Sequence, residues 1–409
     1  MIVSNVQKKL LSLFIFLGPW GTLLTPSFLP KAFRLYYLLL PFFFLFFSRT
    51  KESILRIASI FFPFLIYCFF SALLVEIAGF QRDEDQLFRL CLFLCQFFFA
   101  LGAASWIESY EHLSYLIFGY LQSFFFVLCI GFGLFLGYYG GIFSLEFLER
   151  FSILTQFGYG ILRISPGSYP NEFGIVCSFV LSIFLLALFI DRKYGSFLPE
   201  SLFRFKSVYL FLVFCSLLLT TTRAAYFSFL MGLIYLLYRN GSKSVAPIFW
   251  KILAVSIALV WICFGAFFRS IVDASVYLNW GDGSLGERYA AWIEAFLLFR
   301  EHPLFGAGFS AFSQLHNLYL ALLFELGVFG AALFALTAAM FWFCCCSLEK
   351  AAVRKEELFV QGVKKLGLIH VFWFAASNHN LHHHLTWMVF FIGFSTVTLS
   401  QKMLREESC

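Results

Sequence analysis

Charge is scarce in this chain. Of 409 residues, 13% are Asp, Glu, Lys or Arg while 61% are hydrophobic. A soluble domain carries about 25% charged residues, so an ordinary water-facing surface cannot be covered from this composition. Basic tracts and basic-aromatic interleaving are both missing, which excludes nucleic acid as a partner. No CxxC pair with metal spacing appears either. The chain has 11 Cys, but Cys68, Cys91, Cys95, Cys177, Cys215 and Cys344-Cys345-Cys346 sit inside apolar runs and read as small hydrophobes. The first apolar run holds Pro19 and Pro26 without a small-residue cleavage site, so it reads as a retained helix rather than a signal peptide. Neither an internal repeat nor the paired broken helices of many transporters is visible.

Apolar run length is abundant, and phenylalanine alone accounts for 61 residues. A hydrocarbon core about 30 Å thick takes roughly 20 apolar residues per helix. Runs of that kind predict an all-α integral membrane protein of about twelve transmembrane helices. The spans fall at 10–29, 33–48, 57–80, 90–107, 113–138, 171–190, 207–222, 224–238, 247–267, 317–346, 366–377 and 385–400. A single polytopic membrane domain over 1–409 is expected, with a first outer loop at 139–170 and a larger one at 268–316, between the ninth and tenth spans. Lys and Arg accumulate on the cytoplasmic side of membrane proteins, which puts both termini inside. The basic residues left outside are Lys31 and otherwise arginines: Arg34, Arg82, Arg89, Arg150, Arg163, Arg223, Arg269, Arg288 and Arg300. Arginine keeps its charge in partly dry sites and binds phosphate bidentately. The net charge of +6 therefore reports topology and contact with membrane lipids.

Function is sought in the outer loops. The first holds a short helix around Ser144 to Leu154 and a turn-rich run from Ser165 to Asn171, with Asn171 placed to cap the sixth span. Arg223 sits between two apolar runs with almost no room for a loop. It reads either as a phosphate ligand assisted by neighbouring threonine hydroxyls or as an Arg snorkelling to the headgroups. In the second loop a polar, Gly-rich stretch, Asn279 to Gly286, precedes a helix from Glu287 to Arg300. Tyr289, Trp292, Ile293, Phe296 and Leu297 recur there at helical spacing, so the helix should lie on the membrane surface or pack across the bundle. Arg288 near its N-terminus opposes the macrodipole, and either an anionic ligand or adjacent Glu287 would justify it.

His316, beside Asn317 and ahead of the tenth span, reads as a general base or as an interfacial helix cap. Glu325 is nine residues on, across the helix and roughly 13 Å deeper, so Tyr319 and Gln314 are the better neighbours for the imidazole. The run from Asn378 to His384 is rich in His, but adjacent histidines suit no standard zinc site and read as interfacial imidazoles. His112 and His370 read as structural.

Together these segments resemble a known family. Arg288 with Trp292, His302-Pro303-Leu304-Phe305-Gly306-Ala307-Gly308, His316-Asn317-Leu318-Tyr319-Leu320 and Glu325-Leu326-Gly327-Val328-Phe329-Gly330 resemble the O-antigen ligase and polymerase superfamily. Thr222-Arg223-Ala224 looks like its Ser-Arg-Gly hairpin, with Ala224 in place of the usual Gly. Arg163 through Pro170-Asn171 looks like its Arg, Gly, Pro-Asn segment, so the matching parts run in order through residues 160–330.

The resemblance implies an inner-membrane glycosyltransferase of the lipid-donor type, facing the bacterial periplasm. Its donor would be a glycan on undecaprenyl diphosphate, and its acceptor a lipid A-core sugar in the ligases or another lipid-linked repeat in the polymerases. Arg223 and Arg288 would hold the diphosphate and His316 would activate the acceptor hydroxyl. Arg163, Asn171, Thr222, Asn317 and Tyr319 would play supporting parts. Two guanidiniums can stabilise a departing diphosphate, so no cofactor or metal is demanded. The rival of another class, a polytopic transporter or flippase, would need charges deep in several helices, and only Glu76 and Glu325 look so placed.

Overall fold

The computed structural model describes residues 2–21, 23, 52–77, 86–150, 153–157, 161–166, 169–240, 283–309, 311–312, 315–347, 354–377 and 383–408. The expected spans at 33–48 and 247–267, and residues 378–382 of the His-rich run, lie outside these. The helices are α1 (Ile2–Leu17), α2 (Glu52–Ile77), α3 (Gln86–Ala104), α4 (Tyr110–Tyr139), α5 (Leu145–Arg150), α6 (Pro170–Tyr194) and α7 (Glu200–Arg204). They continue with α8 (Lys206–Leu219), α9 (Arg223–Asn240), α10 (Gly283–Glu301), α11 (Leu318–Ser347), α12 (Lys355–Ser377) and α13 (His384–Ser408).

Among the described residues, 4 helices are long and apolar enough to cross a membrane: α4, α6, Leu318–Cys345 of α11 and Lys355–Ala376 of α12. Shorter apolar helices cover Lys9–Trp20, Ala58–Leu73, Phe88–Ala104 and Lys206–Leu219. The protein is a helical membrane protein. One small sheet departs from the all-α expectation. After α5, β1 (Leu154–Phe157) and β2 (Ile161–Ile164) pair antiparallel, Leu154 opposite Ile164 and Phe157 opposite Ile161. Strands of 4 residues are too short to show a period-two pattern in the sequence.

The residues group into two compact units. The first includes α1, most of α4, α5, the hairpin, α6 to α9 and α12 as far as Phe374. At its centre is α6, apolar all round and therefore enclosed all round. Tyr209 of α8 donates to the Leu121 carbonyl of α4 at 2.9 Å, so its buried hydroxyl is satisfied. Phe118 stacks on Phe359 with centroids 5.0 Å apart, and Phe179 meets His370 at 5.5 Å. That helix, α12, begins well before the run read as the eleventh span. Glu357, Gln361 and Lys364 interrupt the apolar pattern, yet all three are buried. Gln361 donates to Glu357 at 3.3 Å, and Arg239 donates to the Leu358 carbonyl at 2.9 Å. Local polar pairing lets a charged segment continue the helix.

The second unit contains α2, α3, α10, α11 and α13. Its core is phenylalanine on phenylalanine: Phe61 lies 5.2 to 5.8 Å from the rings of Phe97, Phe341, Phe390 and Phe394. Edge and tilted ring packing of this kind adds to simple area burial. Helix α11 is broken at Gly327, whose φ of 68° and ψ of −177° are not helical. The break frees backbone groups in an apolar setting, and the turn at 303–309 takes them up. Ala307 N donates to the Phe324 carbonyl at 3.0 Å, Gly308 N to Glu325 at 2.7 Å and Val328 N to Pro303 at 2.9 Å. Tyr67 donates its hydroxyl to the Leu326 carbonyl at 2.8 Å. Turn and break touch through two glycines in left-handed conformations, Gly306 at φ 72° and Gly327 at φ 68°. A Cβ on Gly306 would meet the Glu325 carbonyl, and one on Gly327 the Leu304 carbonyl.

Gly327→Ala is therefore expected to lower the thermal midpoint of the purified protein in nanodiscs. The left-handed conformation alone costs a Cβ-bearing residue roughly 1–2 kcal/mol, before the clash is counted. Gly133→Ala, where an added Cβ meets nothing within 4 Å, should leave the midpoint unchanged.

Candidate functional site

In the first unit the chain reverses between α8 and α9 through Thr220, Thr221 and Thr222. Thr221 has φ 51°, a region that β-branched residues seldom enter and that neighbours must enforce. Arg163 of β2 enforces it. Its Nε donates to the Thr220 carbonyl at 2.7 Å and to the Thr221 hydroxyl, and its Nη2 donates to the Thr221 carbonyl at 3.0 Å. Thr222 immediately precedes α9: its carbonyl accepts from Ala225 N at 3.0 Å and Tyr226 N at 3.2 Å. Its hydroxyl faces α6, within reach of the Pro170 carbonyl at 3.2 Å and Asn171 Oδ1 at 3.3 Å. Gly174 allows this approach, because a Cβ there would meet Thr220 Oγ1 at 2.8 Å and Thr222 Cβ at 3.1 Å.

Arg163, Asn171 and Thr222 are thus brought together, as parts of the corner that presents Arg223. Asn171 is not the cap of α6. That position is Tyr169, with Pro170 at the first helical turn, where a missing N–H and a fixed φ cost nothing. Arg223 opens α9 with its side chain exposed and its guanidinium without a hydrogen-bond or ion-pair partner among the described residues. A cation beside the unpaired N–H groups of a helix N-terminus makes a place where an anion is doubly favoured.

In the second unit α10 begins at Gly283, four residues earlier than the sequence suggests. Arg288 therefore lies in the second turn, where the macrodipole has largely faded. Ala291, Trp292, Ala295 and Phe299 form the stripe of α10 that packs on Leu315, Ala321 and Phe324. Trp292 faces inward and donates its indole N–H to the Leu315 carbonyl at 2.7 Å. The bond satisfies an indole that packing partly buries. Tyr289, Ile293, Phe296 and Leu297 remain exposed, the apolar face expected of a helix in contact with membrane.

Trp292 ties α10 to the residue immediately before His316, and Arg288 lies one turn before Trp292 on the same face. His316 is half-buried, with φ 48°. Asn317 caps α11: its Oδ1 accepts from Leu320 N at 3.1 Å and its carbonyl from Ala321 N at 2.9 Å. Tyr319 lies in the first turn of α11, on an exposed face. Glu325 is buried and accepts from Phe312 N at 3.2 Å, which holds the segment leading to His316. Sequence reasoning missed the strained backbone at Thr221 and His316, which no residue type announces. It also missed the clamp by Arg163, for which Thr220-Thr221-Thr222 was a signal.

The fold and these two sets of residues define a helical membrane protein with arginines and a histidine at or near helix ends. Residues 208–335 match the family model described as O-Antigen ligase, so this segment is similar to that family. The matched segment contains Thr222, Arg223, Arg288, His316, Asn317 and Tyr319, while Arg163 and Asn171 precede it. No curated protein matches the chain.

Arg163→Lys should loosen the corner. An ammonium cannot fork over two carbonyls, and hydrogen bonds to a charged group are worth about 1.5–3 kcal/mol. Hydrogen exchange followed by mass spectrometry should show faster exchange across residues 220–223, and exchange equal to wild type would remove the clamp.

Proposed function

We propose that this O-antigen ligase-type or polymerase-type protein is a ligase. It would transfer a glycan from undecaprenyl diphosphate to a sugar hydroxyl of the lipid A core, at the periplasmic face of the bacterial inner membrane. The observation that carries the reading is His316, held in the left-handed region at the start of α11, next to the segment that Trp292 ties to the helix of Arg288. Strained non-glycine backbone clusters at active sites and ligand clamps.

In the proposed reaction His316 accepts the proton of the acceptor hydroxyl. The hydroxyl oxygen bonds to the anomeric carbon from the face opposite the diphosphate, the carbon–oxygen bond to phosphate breaks, and the configuration inverts. Negative charge grows on the departing diphosphate, and Arg223 and Arg288 are the groups assigned to stabilise it, without a metal. The polymerase reading uses the same chemistry with the end of another lipid-linked repeat as acceptor.

Purified protein, given undecaprenyl-diphosphate-linked glycan with or without lipid A core, separates the two. Glycan transferred to the core supports the ligase, and longer lipid-linked chains formed without core make it a polymerase. His316→Ala is expected to lower turnover by about 10²–10⁴. Arg223→Ala and Arg288→Ala should each cost about 10²–10³. Unchanged turnover in the His316 variant would remove that residue as the base.

A further inference from the structure

In the first unit, α6 ends, α7 intervenes and α8 begins within the stretch from Asp191 to Lys206, which holds Arg192, Lys193, Arg204 and Lys206 against Asp191 and Glu200. The Asp191 carboxylate is engaged within the chain. Its Oδ1 accepts from Phe197 N at 2.7 Å and Leu198 N at 3.1 Å, which folds the segment back after Gly195, at φ 71°. Two nearby cations are committed as well. Lys355 donates to the Ser196 carbonyl at 3.0 Å, and Arg239 donates to the Tyr235 hydroxyl at 3.1 Å and the Leu358 carbonyl at 2.9 Å.

Arg204 and Lys206 are different. Arg204 is exposed, with no hydrogen-bond or ion-pair partner among the described residues, and Glu200, one turn before it, does not pair with it. Lys206 Nζ sits 3.8 Å from the centroid of the Phe203 ring, and Lys193 Nζ 5.1 Å from that of Tyr194. A ring face holds an ammonium in place without neutralising its charge.

The surroundings set the depth of these charges. Phe184 of α6 meets Tyr209 of α8 at 4.6 Å, so both apolar helices run to the same side of the segment. The short α7 is held against the bundle, with Leu202 buried and Ser201 Oγ accepting from Gln122 of α4 at 2.8 Å. Phe205 stacks on Phe125 of α4 at 6.2 Å and is still exposed, as are Phe203, Val208 and Phe126. Basic and aromatic side chains together at the ends of apolar helices mark the headgroup level of a bilayer. We propose that this corner of the first unit binds an anionic phospholipid, its phosphate held by Arg204 and Lys206 and an acyl chain lying along Phe205 and Val208. Charge complementarity selects this occupant. A guanidinium forks onto phosphate oxygens, and a headgroup of net negative charge meets cations that no carboxylate offsets, whereas a zwitterionic headgroup brings a cation of its own.

The test uses the full chain, purified in detergent and titrated with phosphatidylglycerol or phosphatidylcholine, with the first bound lipid followed by native mass spectrometry. Wild type should bind phosphatidylglycerol the more tightly. Arg204→Gln and Lys206→Gln should each weaken that binding about fivefold, as expected for one basic residue at an anionic headgroup, and Lys206→Arg should retain it. Both positions are at the surface, so the lipid-free thermal midpoint should not move; if Arg204→Gln lowers it, Lys206→Gln carries the test. Soluble glycerophosphoglycerol should fail to displace the lipid, because it brings no acyl chain to Phe205 and Val208. Equal affinity for the two lipids in wild type, glutamine variants that bind phosphatidylglycerol as wild type does, or displacement by the soluble headgroup would overturn the site.

Discussion

The constraint behind this structure is that a backbone N–H or C=O away from water must find its partner inside the protein. Straight helices meet it by themselves. Every reversal, break or cap has to be met by named neighbours, and those neighbours surround the candidate chemical groups. Gly327 breaks α11, and the turn at 303–309 accepts and donates the freed bonds. Thr221 turns the chain, and one guanidinium takes the exposed carbonyls.

Within the second unit this requirement has a positional effect. Trp292 donates to Leu315, Asn317 closes the N-terminus of α11 and Glu325 accepts from Phe312. The segment carrying His316 is thereby gripped on both sides, and a positive φ at His316 can persist because its surroundings over-determine it. In the first unit Arg163 does comparable work for the corner ahead of Arg223. Arg163, a supporting candidate from sequence, is largely committed to backbone carbonyls, while Arg223 stays exposed.

Much of the architecture is legible without coordinates because hydrocarbon imposes a length and a composition. The helices α4, α6, α9 and α11 coincide with apolar runs to within a few residues. Where the reading differs, local polar pairing is the cause. Glu357, Gln361 and Lys364 look like the end of a span, yet pairing along and between helices carries them inside α12. The hairpin of β1 and β2 is invisible because four-residue strands have no period to detect. Periodicity left open whether the Trp292 helix lies on the membrane or packs inward, and one indole hydrogen bond ties Trp292 inward.

The sequence by itself determined that this is a helical membrane protein, which residues carry charge or imidazole in its short connecting segments, and which family they resemble. Those properties follow from composition, run length and motif order, which are written along the chain. Tertiary structure alone decided that Arg163 clamps a corner, that Gly306 and Gly327 interlock, and that Thr221 and His316 sit in left-handed backbone. Each depends on segments distant in sequence supplying a missing hydrogen bond or a close contact, and no local pattern specifies which distant group will arrive.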